Sequence, residues 1–373
     1  MVVCGAGPAG LTLAWKAASK GLKVLVFDRK SSTQDIAYTT SGSFIDLGVW
    51  GLPQDVAHPI SKVIFSSDKT SIVGAGKACV IRRRKLLDAL ENRCASSGAE
   101  VRYSVSAVEV NVSGEALDSV KLSDGSEVKA TVYADCSGLG GVFNRVLPVY
   151  EGKVVQAVGF EYVLPLKSQD DTAELYVGGE LAGGYGWLFP LGDGTAIVGA
   201  GTLIRDKFPE VRQMLELMLK LPRFMERVEP KPIESHAGVF RTGKPLKRFS
   251  RGNLILVGDI ALQGNPAAGE GVRFVMDAAA MAAYAVAEAV EKNNIKFLAE
   301  YGRVWSLKYR QMFWVNYLAQ KALVWLTQHS WALEHVMRLG AKADTNTMIT
   351  LIKGEADAKF LLRKLPKIIY KIF

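Results

Sequence analysis

The chain has 373 residues, 49% of them hydrophobic and 22% charged, enough apolar material for a large core over two or three domains, which excludes a disordered or fibrous class. Its formal charge of +9 leaves nucleic acid, an anionic membrane surface, or an anionic cofactor and substrate as partner classes, and the placement of the charge decides among them. The four cysteines, Cys4, Cys79, Cys94 and Cys136, form no CxxC, and the four histidines form no HxxxH or HExxH pair, so neither a metal site nor a disulfide framework is expected.

The first ten residues, MVVCGAGPAG, read as a short apolar strand followed by Gly5-Ala6-Gly7-Pro8-Ala9-Gly10. A helical run, LTLAWKAASKGLK, and a second strand, VLVFDRK, follow. A lone GxGxxG is weak, but here strand, turn, helix and strand come in order, and Asp28 closes the second strand about 20 residues after the glycines, where a carboxylate meets a ribose hydroxyl. The unit therefore predicts dinucleotide binding. Glycines let the backbone approach a pyrophosphate, whose charge is met by the amides and dipole at the helix start.

Next, VIRRRKLLDALENRCASSGAEV spaces its apolar residues as a helix does, with Arg84 four residues before Asp88 and with Arg82 and Arg83 expected on a solvated face. Strands are expected around VRYSVSAVEVNV and in SVKLSDGSEVKATVYADCSGLGG. Cys136 reads as a small buried residue, since no histidine is placed to activate it. Residues 151–239 alternate as strands do and predict an antiparallel sheet. Within it, GYGWLFP puts Tyr185, Trp187 and Phe189 at every second position, hence on one face, with Gly186 and Leu188 on the other. Alone, that pattern fits a hairpin on a core, with Leu191-Gly192-Asp193-Gly194 as its turn.

Further on, NLILVGDIALQGNPAAGEGVRF reads as a strand ending at Gly258-Asp259, a loop with Pro266, and an alanine-rich helix whose start carries Gly269-Glu270-Gly271. This resembles the GD box of flavoprotein hydroxylases and reductases. The resemblance implies that Asp259 binds the ribityl chain of FAD, that amides around Gly269, Gly271 and Val272 face the flavin ring, and that Arg84 reaches the cofactor. Without it, Asp259 would read as a turn or capping residue.

Tyr185, Trp187, Phe189 and Pro190, followed after eight residues by Gly199 and Gly201, match the YxWxFP and GxG signature of the geranylgeranyl reductase family in spacing and residue type. Together with the N-terminal fingerprint and the GD box, the chain resembles that family over about residues 1–295. The resemblance implies a p-hydroxybenzoate-hydroxylase-like α/β fold: a Rossmann-like FAD-binding domain (1–50, 76–150 and 240–295), an inserted antiparallel β-sheet substrate domain (51–75 and 151–239) and a helical C-terminal region (296–373). It implies FAD held by Gly5, Gly7, Ala9, Gly10, Asp28, Arg29, Ser41, Gly42, Arg84, Ala107, Gly258, Asp259, Gly269, Gly271 and Val272. It further implies saturation of isoprenoid double bonds in prenyl lipids, by hydride from reduced flavin N5 plus a proton, with the aromatic strand and the GxG glycines lining the channel for the polyprenyl chain. Trp187 is expected to position the alkene. A flavin monooxygenase or halogenase of the same fold is the rival reading, and a non-catalytic prenyl-lipid carrier a more remote one.

One departure matters for catalysis. Many family members carry Cys-Gly where this chain has Ser41-Gly42, and a hydroxyl is a poorer proton donor than a thiol. The stretch also fits a serine-rich turn, with Tyr38, Thr39 and Thr40 as neighbouring donors. No NAD(P)H fingerprint is visible, so ferredoxin, deazaflavin and NAD(P)H all stay open as electron donors.

Residues 296–373 are helical in pattern and hold Trp305, Trp314, Trp325 and Trp331, whose rings are expected mostly to pack on the body. The final KFLLRKLPKIIYKIF has five cations, no acids and nine apolar residues, as expected of a segment lying on anionic lipid. No nucleic-acid module is recognisable. With no run of about 18 apolar residues and no signal-peptide pattern, the expected location is cytoplasmic, peripheral at a membrane surface.

Overall fold

The computed structural model describes residues 1–39, 42–74, 77–151 and 154–370, without the side chains of 209, 345 and 365–370. Among them, six strands form a sheet in the order Ser250–Arg251, Leu254–Leu256, Tyr133–Asp135, Val2–Cys4, Leu25–Phe27 and Glu100–Arg102. All neighbours pair in parallel except the first two. The central strands are three residues long and buried throughout, as a parallel sheet covered on both faces requires. The helix Pro8–Ala18 starts with proline at its first turn, where a missing N–H leaves no bond unmade, and buries every residue except Lys16. It packs against Val272–Glu291, whose buried face is mostly alanine, so the two backbones can approach closely.

Seven strands form the second large sheet, in the order Glu234–Thr242, Val155–Pro165, Thr195–Thr202, Gly184–Pro190, Thr172–Tyr176, Lys62–Ser66 and Ser71–Gly74. Pairing is antiparallel except between Thr172–Tyr176 and Lys62–Ser66. Gly186 and Leu188 face a cluster with Met218 and Leu215 of the helix Val211–Leu219, which covers the outer face of this sheet. On its other face Trp187, Phe189 and Ile197 cluster with Ile60 and Val80 of a small three-stranded sheet made by Gly42–Ser43, Ala78–Ile81 and Ala57–Ile60. The architecture is the one the sequence predicts: a Rossmann-like sheet, a separate antiparallel sheet and a helical C-terminal region.

The C-terminal helices begin with Leu298–Leu326, which braces the Gly258–Glu270 loop from behind. Tyr301 Oη donates to the Leu256 carbonyl at 3.1 Å and accepts from Gln263 Nε2 at 2.6 Å, while Gln263 Oε1 accepts from Gly258 N at 2.8 Å. Gln320 Nε2 donates to the Pro266 carbonyl at 2.6 Å. The tryptophans divide: Trp305 is fully buried among Phe249, Tyr309 and Phe313, and Trp314 is half-buried beside Lys244. Trp325 and Trp331 are exposed, contrary to the expectation that most of these rings pack on the body. Among the described residues, no helix is long and apolar enough to cross a membrane.

Replacing Trp305 with alanine should lower the unfolding free energy by about 3–5 kcal/mol. It would be read as a reduced urea midpoint at unchanged slope. An unshifted midpoint would contradict the aromatic cluster as the root of the C-terminal helices.

Candidate functional site

The turn after Val2–Cys4 is shaped by contacts that only glycine allows. Gly5 has φ +107°, and a Cβ there would lie 2.5 Å from the Cys136 carbonyl oxygen. A Cβ on Gly10 would lie 1.9 Å from the Gly5 carbonyl oxygen. Gly7 is different, because nothing lies within 4 Å of where its Cβ would be, so open space faces the helix start. At the edge of this cradle, Asp28 accepts from Ala6 N at 2.6 Å and from Lys30 N at 3.0 Å. A carboxylate offers about four acceptor positions, so it keeps capacity for a ribose hydroxyl.

Gly258, at φ +92°, abuts Ala9, where an added Cβ would come within 2.9 Å of the Ala9 methyl. The glycine turn and the Gly258-Asp259 segment are thus two walls of one groove, although more than 240 residues separate them in sequence. Beneath it, the buried Asp135 carboxylate accepts from Ser137 N, Phe143 N and Asn144 N, which fixes the loop that follows its strand. Cys136 is buried and its thiol is pushed well up by that burial, so it is unreactive.

The groove opens into a cleft of about 1200 Å³, mouth included, between the Pro266–Val272 segment and the inner face of the seven-stranded sheet. Asp259 lines it. Burial raises the Asp259 carboxyl, with Arg83 and Arg241 opposing, and no donor among the described residues meets it. A hydroxyl-rich ribityl chain would supply one.

Tyr185, Trp187 and Phe189 all line the cleft, and each ring is seated against a glycine of a different segment. Tyr185 Oη donates to the Ala268 carbonyl at 2.6 Å and lies where a Cβ on Gly269 would be, 2.7 Å away. The Trp187 indole lies across the sheet, 2.3 Å from a Cβ built on Gly199, 3.4 Å from one on Gly201 and 3.3 Å from one on Gly159. The Phe189 ring lies 2.8 Å from a Cβ built on Gly42. The register Trp187↔Gly199 and Gly159↔Gly201 makes the trough continuous over three strands.

Of the two GxG glycines expected to line the channel, both also seat the indole of Trp187. Gly201 lines the cleft, whereas Gly199 is covered by that ring, and Pro190 ends the strand opposite Ala196 outside the cleft lining.

The arginines require a correction. Arg84 forks onto Glu234, with contacts of 3.3 and 3.0 Å, and also donates to the Gln34 carbonyl, so it is spent outside the cleft. Arg83, expected to be solvated, lines the cleft with its guanidinium 4.7 Å from the Tyr38 ring centre. Arg82 donates to the Asp55 and Leu191 carbonyls. Of the other expected cofactor residues, Gly42, Gly269, Gly271 and Val272 line the cleft, Arg29 is exposed, and Ala107 opens the strand Ala107–Ser113 away from the cleft. Ser41 lies outside the described residues.

Sequence reasoning also missed a polar end. Glu161 and His236 are register partners on adjacent strands and both line the cleft. Glu161 Oε1 accepts from Thr39 N at 2.5 Å and Thr39 Oγ1 at 2.7 Å, holding the segment that enters residues 40–41. His236 Nε2 bonds Glu234 Oε2 at 2.8 Å. A glutamate two residues after Gly159, the one charged residue of the strand Val155–Pro165, was the available signal. Glu270, also lining the cleft, accepts from Ser43 Oγ at 2.6 Å and pairs with Arg273 at 3.0 Å.

The chain is similar to several known proteins. A family described as lycopene cyclase protein matches residues 1–161. The digeranylgeranylglycerophospholipid reductase 2 of Methanopyrus kandleri is 27% identical, over 96% of this chain and 94% of its own. The digeranylgeranylglycerophospholipid reductase 2 of Methanothermobacter thermautotrophicus is 30% identical, over 83% of each chain. The chain belongs to the geranylgeranyl reductase family. A geranylgeranyl bacteriochlorophyll reductase-like protein from Thermoplasma acidophilum superposes with a TM-score of 0.86 at 20% identity, covering 100% of this chain and 97% of its own. A flavin-dependent brominase superposes at 0.71 with 18% identity, over 90% and 92%, which is a likeness of fold. This geranylgeranyl reductase family member is an FAD-dependent oxidoreductase, and the open space at Gly7, the spare acceptors of Asp28 and the unmet carboxyl of Asp259 fit that cofactor.

Gly7→Val should fold normally yet purify without flavin, because its side chain enters only the cradle. Gly10→Val should instead lower the melting temperature, because its Cβ meets backbone. Flavin absorbance per chain and thermal melts distinguish the two, and a yellow Gly7→Val protein would contradict the cradle.

Proposed function

We propose that this enzyme saturates isolated trisubstituted double bonds along the geranylgeranyl chains of a prenyl lipid. The observation that carries the proposal is the aromatic face of Gly184–Pro190, three rings held by glycines of three segments and turned toward the flavin-loop side of one cleft. An isoprenoid offers no hydrogen-bonding groups, so its site must be apolar and must select by shape. Val158, Leu203, Val239 and Phe240 extend the apolar lining. The names of the relatives, reductases of digeranylgeranylglycerophospholipid, support the same substrate class.

In this reading residues 51–75 and 151–239 form the substrate unit, and residues 1–50, 76–150 and 240–295 hold the cofactor. FAD, reduced and bound, supplies the hydride from N5. The protein supplies placement: an unactivated alkene develops little charge early, so proximity and orientation are the main contribution, with electrostatics helping at any cationic centre. The flat face of Trp187 flanks such a centre as readily as an alkyl chain. Its indole nitrogen is buried without a hydrogen-bond partner among the described residues, so the ring is placed by packing alone. Tyr38, Tyr185 and His236 line the cleft with exchangeable protons, so proton delivery does not require the thiol that Ser41 replaces.

The basic tail is a second proposed element. The helix Ala358–Tyr370 is capped by Asp357 and carries the exposed Leu362 beside Arg363, which suits an anionic lipid surface.

Trp187→Ala should retain FAD and remain photoreducible while turnover falls by roughly ten- to a hundredfold, from loss of alignment. Mass spectrometry should find lipids with more double bonds left unreduced. Parent-like saturation of a geranylgeranyl substrate by this variant would remove the indole wall from the account.

A further inference from the structure

The 29-residue helix Leu298–Leu326 buries one side in the body, but its opposite side is not uniformly polar. Leu307, Trp314, Leu318 and Trp325 recur at spacings of seven, four and seven, which places them along one line of the helix. Leu307 is 75% exposed, Leu318 58% and Trp325 49%. From Leu307 to Trp325 the stripe is about 27 Å long, at 1.5 Å per residue. Trp331, 74% exposed, is the second residue of the next helix, Ser330–Gly340, six residues beyond Trp325. Scattered exposed apolar residues need no explanation, whereas a line of them along one helix followed by a second exposed tryptophan does.

Two further observations identify the occupant. Residues 301–343 contain six cations and a single acid, Glu334, which is buried and accepts from Lys69 N and Thr70 Oγ1. Arg303 pairs with Glu300 and Lys308 with Asp277, which leaves Arg310, Lys321, Arg338 and Lys342 outside any ion pair among the described residues, so the surface around the stripe is net positive, unfavourable for a second copy of the chain and complementary to anionic lipid. The helix junction also sits at one end of the cleft. Thr327 Oγ1 accepts from Gly183 N at 2.8 Å, and Leu203 N donates to the Gly183 carbonyl at 3.1 Å, while Gly184, Thr202 and Leu203 line the cleft.

We propose that the Leu307–Trp325 stripe and Trp331 form a docking surface for an anionic bilayer, set beside one end of the cleft so that a prenyl chain passes into it directly from the membrane. This deepens the prenyl-lipid reading and rests on it for the identity of what enters. The tryptophans would sit at headgroup depth, where an apolar ring with one polar edge is favoured. This surface is separate from the basic tail and needs no part of residues 365–373.

The test compares the FAD-loaded parent, a Trp325→Ser/Trp331→Ser double variant, a Leu307→Ser/Leu318→Ser double variant and a chain lacking residues 359–373. Binding is measured by flotation with phosphatidylglycerol vesicles and with phosphatidylcholine vesicles. The substituted side chains are exposed, so flavin content and melting temperature should match the parent. Each double variant should bind phosphatidylglycerol vesicles about tenfold more weakly or worse. Quenching of tryptophan fluorescence by brominated lipid, present in the parent, should largely disappear in Trp325→Ser/Trp331→Ser. Turnover on detergent-dispersed prenyl lipid should be unchanged, while turnover on the same lipid in vesicles falls.

Parent-like vesicle binding by both double variants would overturn the proposal, as would binding lost only on deletion of the tail. A parent that floats with neither vesicle, or that forms a dimer dispersed by the serine substitutions, would overturn it too. Binding and quenching do not depend on turnover. Failure of the substrate reading would therefore appear as intact docking with no reduction of prenyl lipid.

Discussion

The cleft depends on one steric constraint: a large ring at Trp187 and no side chain at Gly199. A Cβ there would stand 2.3 Å from the indole, closer than any side chain can come, whereas at Gly159 and Gly201 it would come to 3.3 and 3.4 Å, close contacts that leave the ring in place. The two neighbouring rings repeat the arrangement outward, Phe189 on Gly42 of the N-terminal segment and Tyr185 on Gly269 of the flavin loop. One strand thereby touches the N-terminal segment at Gly42, the loop at Gly269 and two other strands of its own sheet, all of them cleft-lining. Close packing of this kind leaves no room for adjustment, since inserting even a methyl group into a filled core displaces side chains from their preferred rotamers.

What the sequence made legible was what is local. The glycine turn, Asp28 and the Gly258-Asp259 pair are read from spacing within a few residues of a strand end, and the alternation of Tyr185, Trp187 and Phe189 follows from the pleat of one strand. Relations between elements were hidden. A step of one residue at a helix start turns a side chain by about 100°, which is enough to exchange Arg84, spent on Glu234, for Arg83 in the cleft. The partnership of Glu161 with His236 depends on strand register, and the seat of Trp187 on Gly159 crosses two strand pairings. That Gly199 lies beneath the Trp187 ring was hidden for the same reason, because the ring comes from the neighbouring strand. The exposure of Trp325 and Trp331 depends on which side of a long helix meets the body, and composition alone does not show that.

The C-terminal helices give the cleft its second support. Tyr301 and Gln320 bond the loop that carries Asp259 and Gly269, and Asn316 Nδ2 donates to the Gly354 carbonyl at 2.7 Å, holding the following turn against the same loop. A Cβ on Gly354 would lie 2.0 Å from Asn265 Nδ2, another close approach that only glycine permits. The helix with the apolar outer stripe is thus the one that sets the flavin loop from its inner side. Geometry at the exposed stripe and geometry beside the cleft are properties of one helix.

The central claim is that this cleft brings an apolar chain to reduced FAD and that the chain, not oxygen, is the acceptor. The most direct measurement is anaerobic: the holoenzyme is photoreduced, a geranylgeranyl phospholipid is added, and the flavin spectrum and the lipid mass are followed together. The account predicts return of the oxidised flavin spectrum, with the lipid gaining the mass of two hydrogens for each flavin reoxidised. A flavin that stays reduced with every prenyl lipid offered, and reoxidises only when air is admitted, would contradict it.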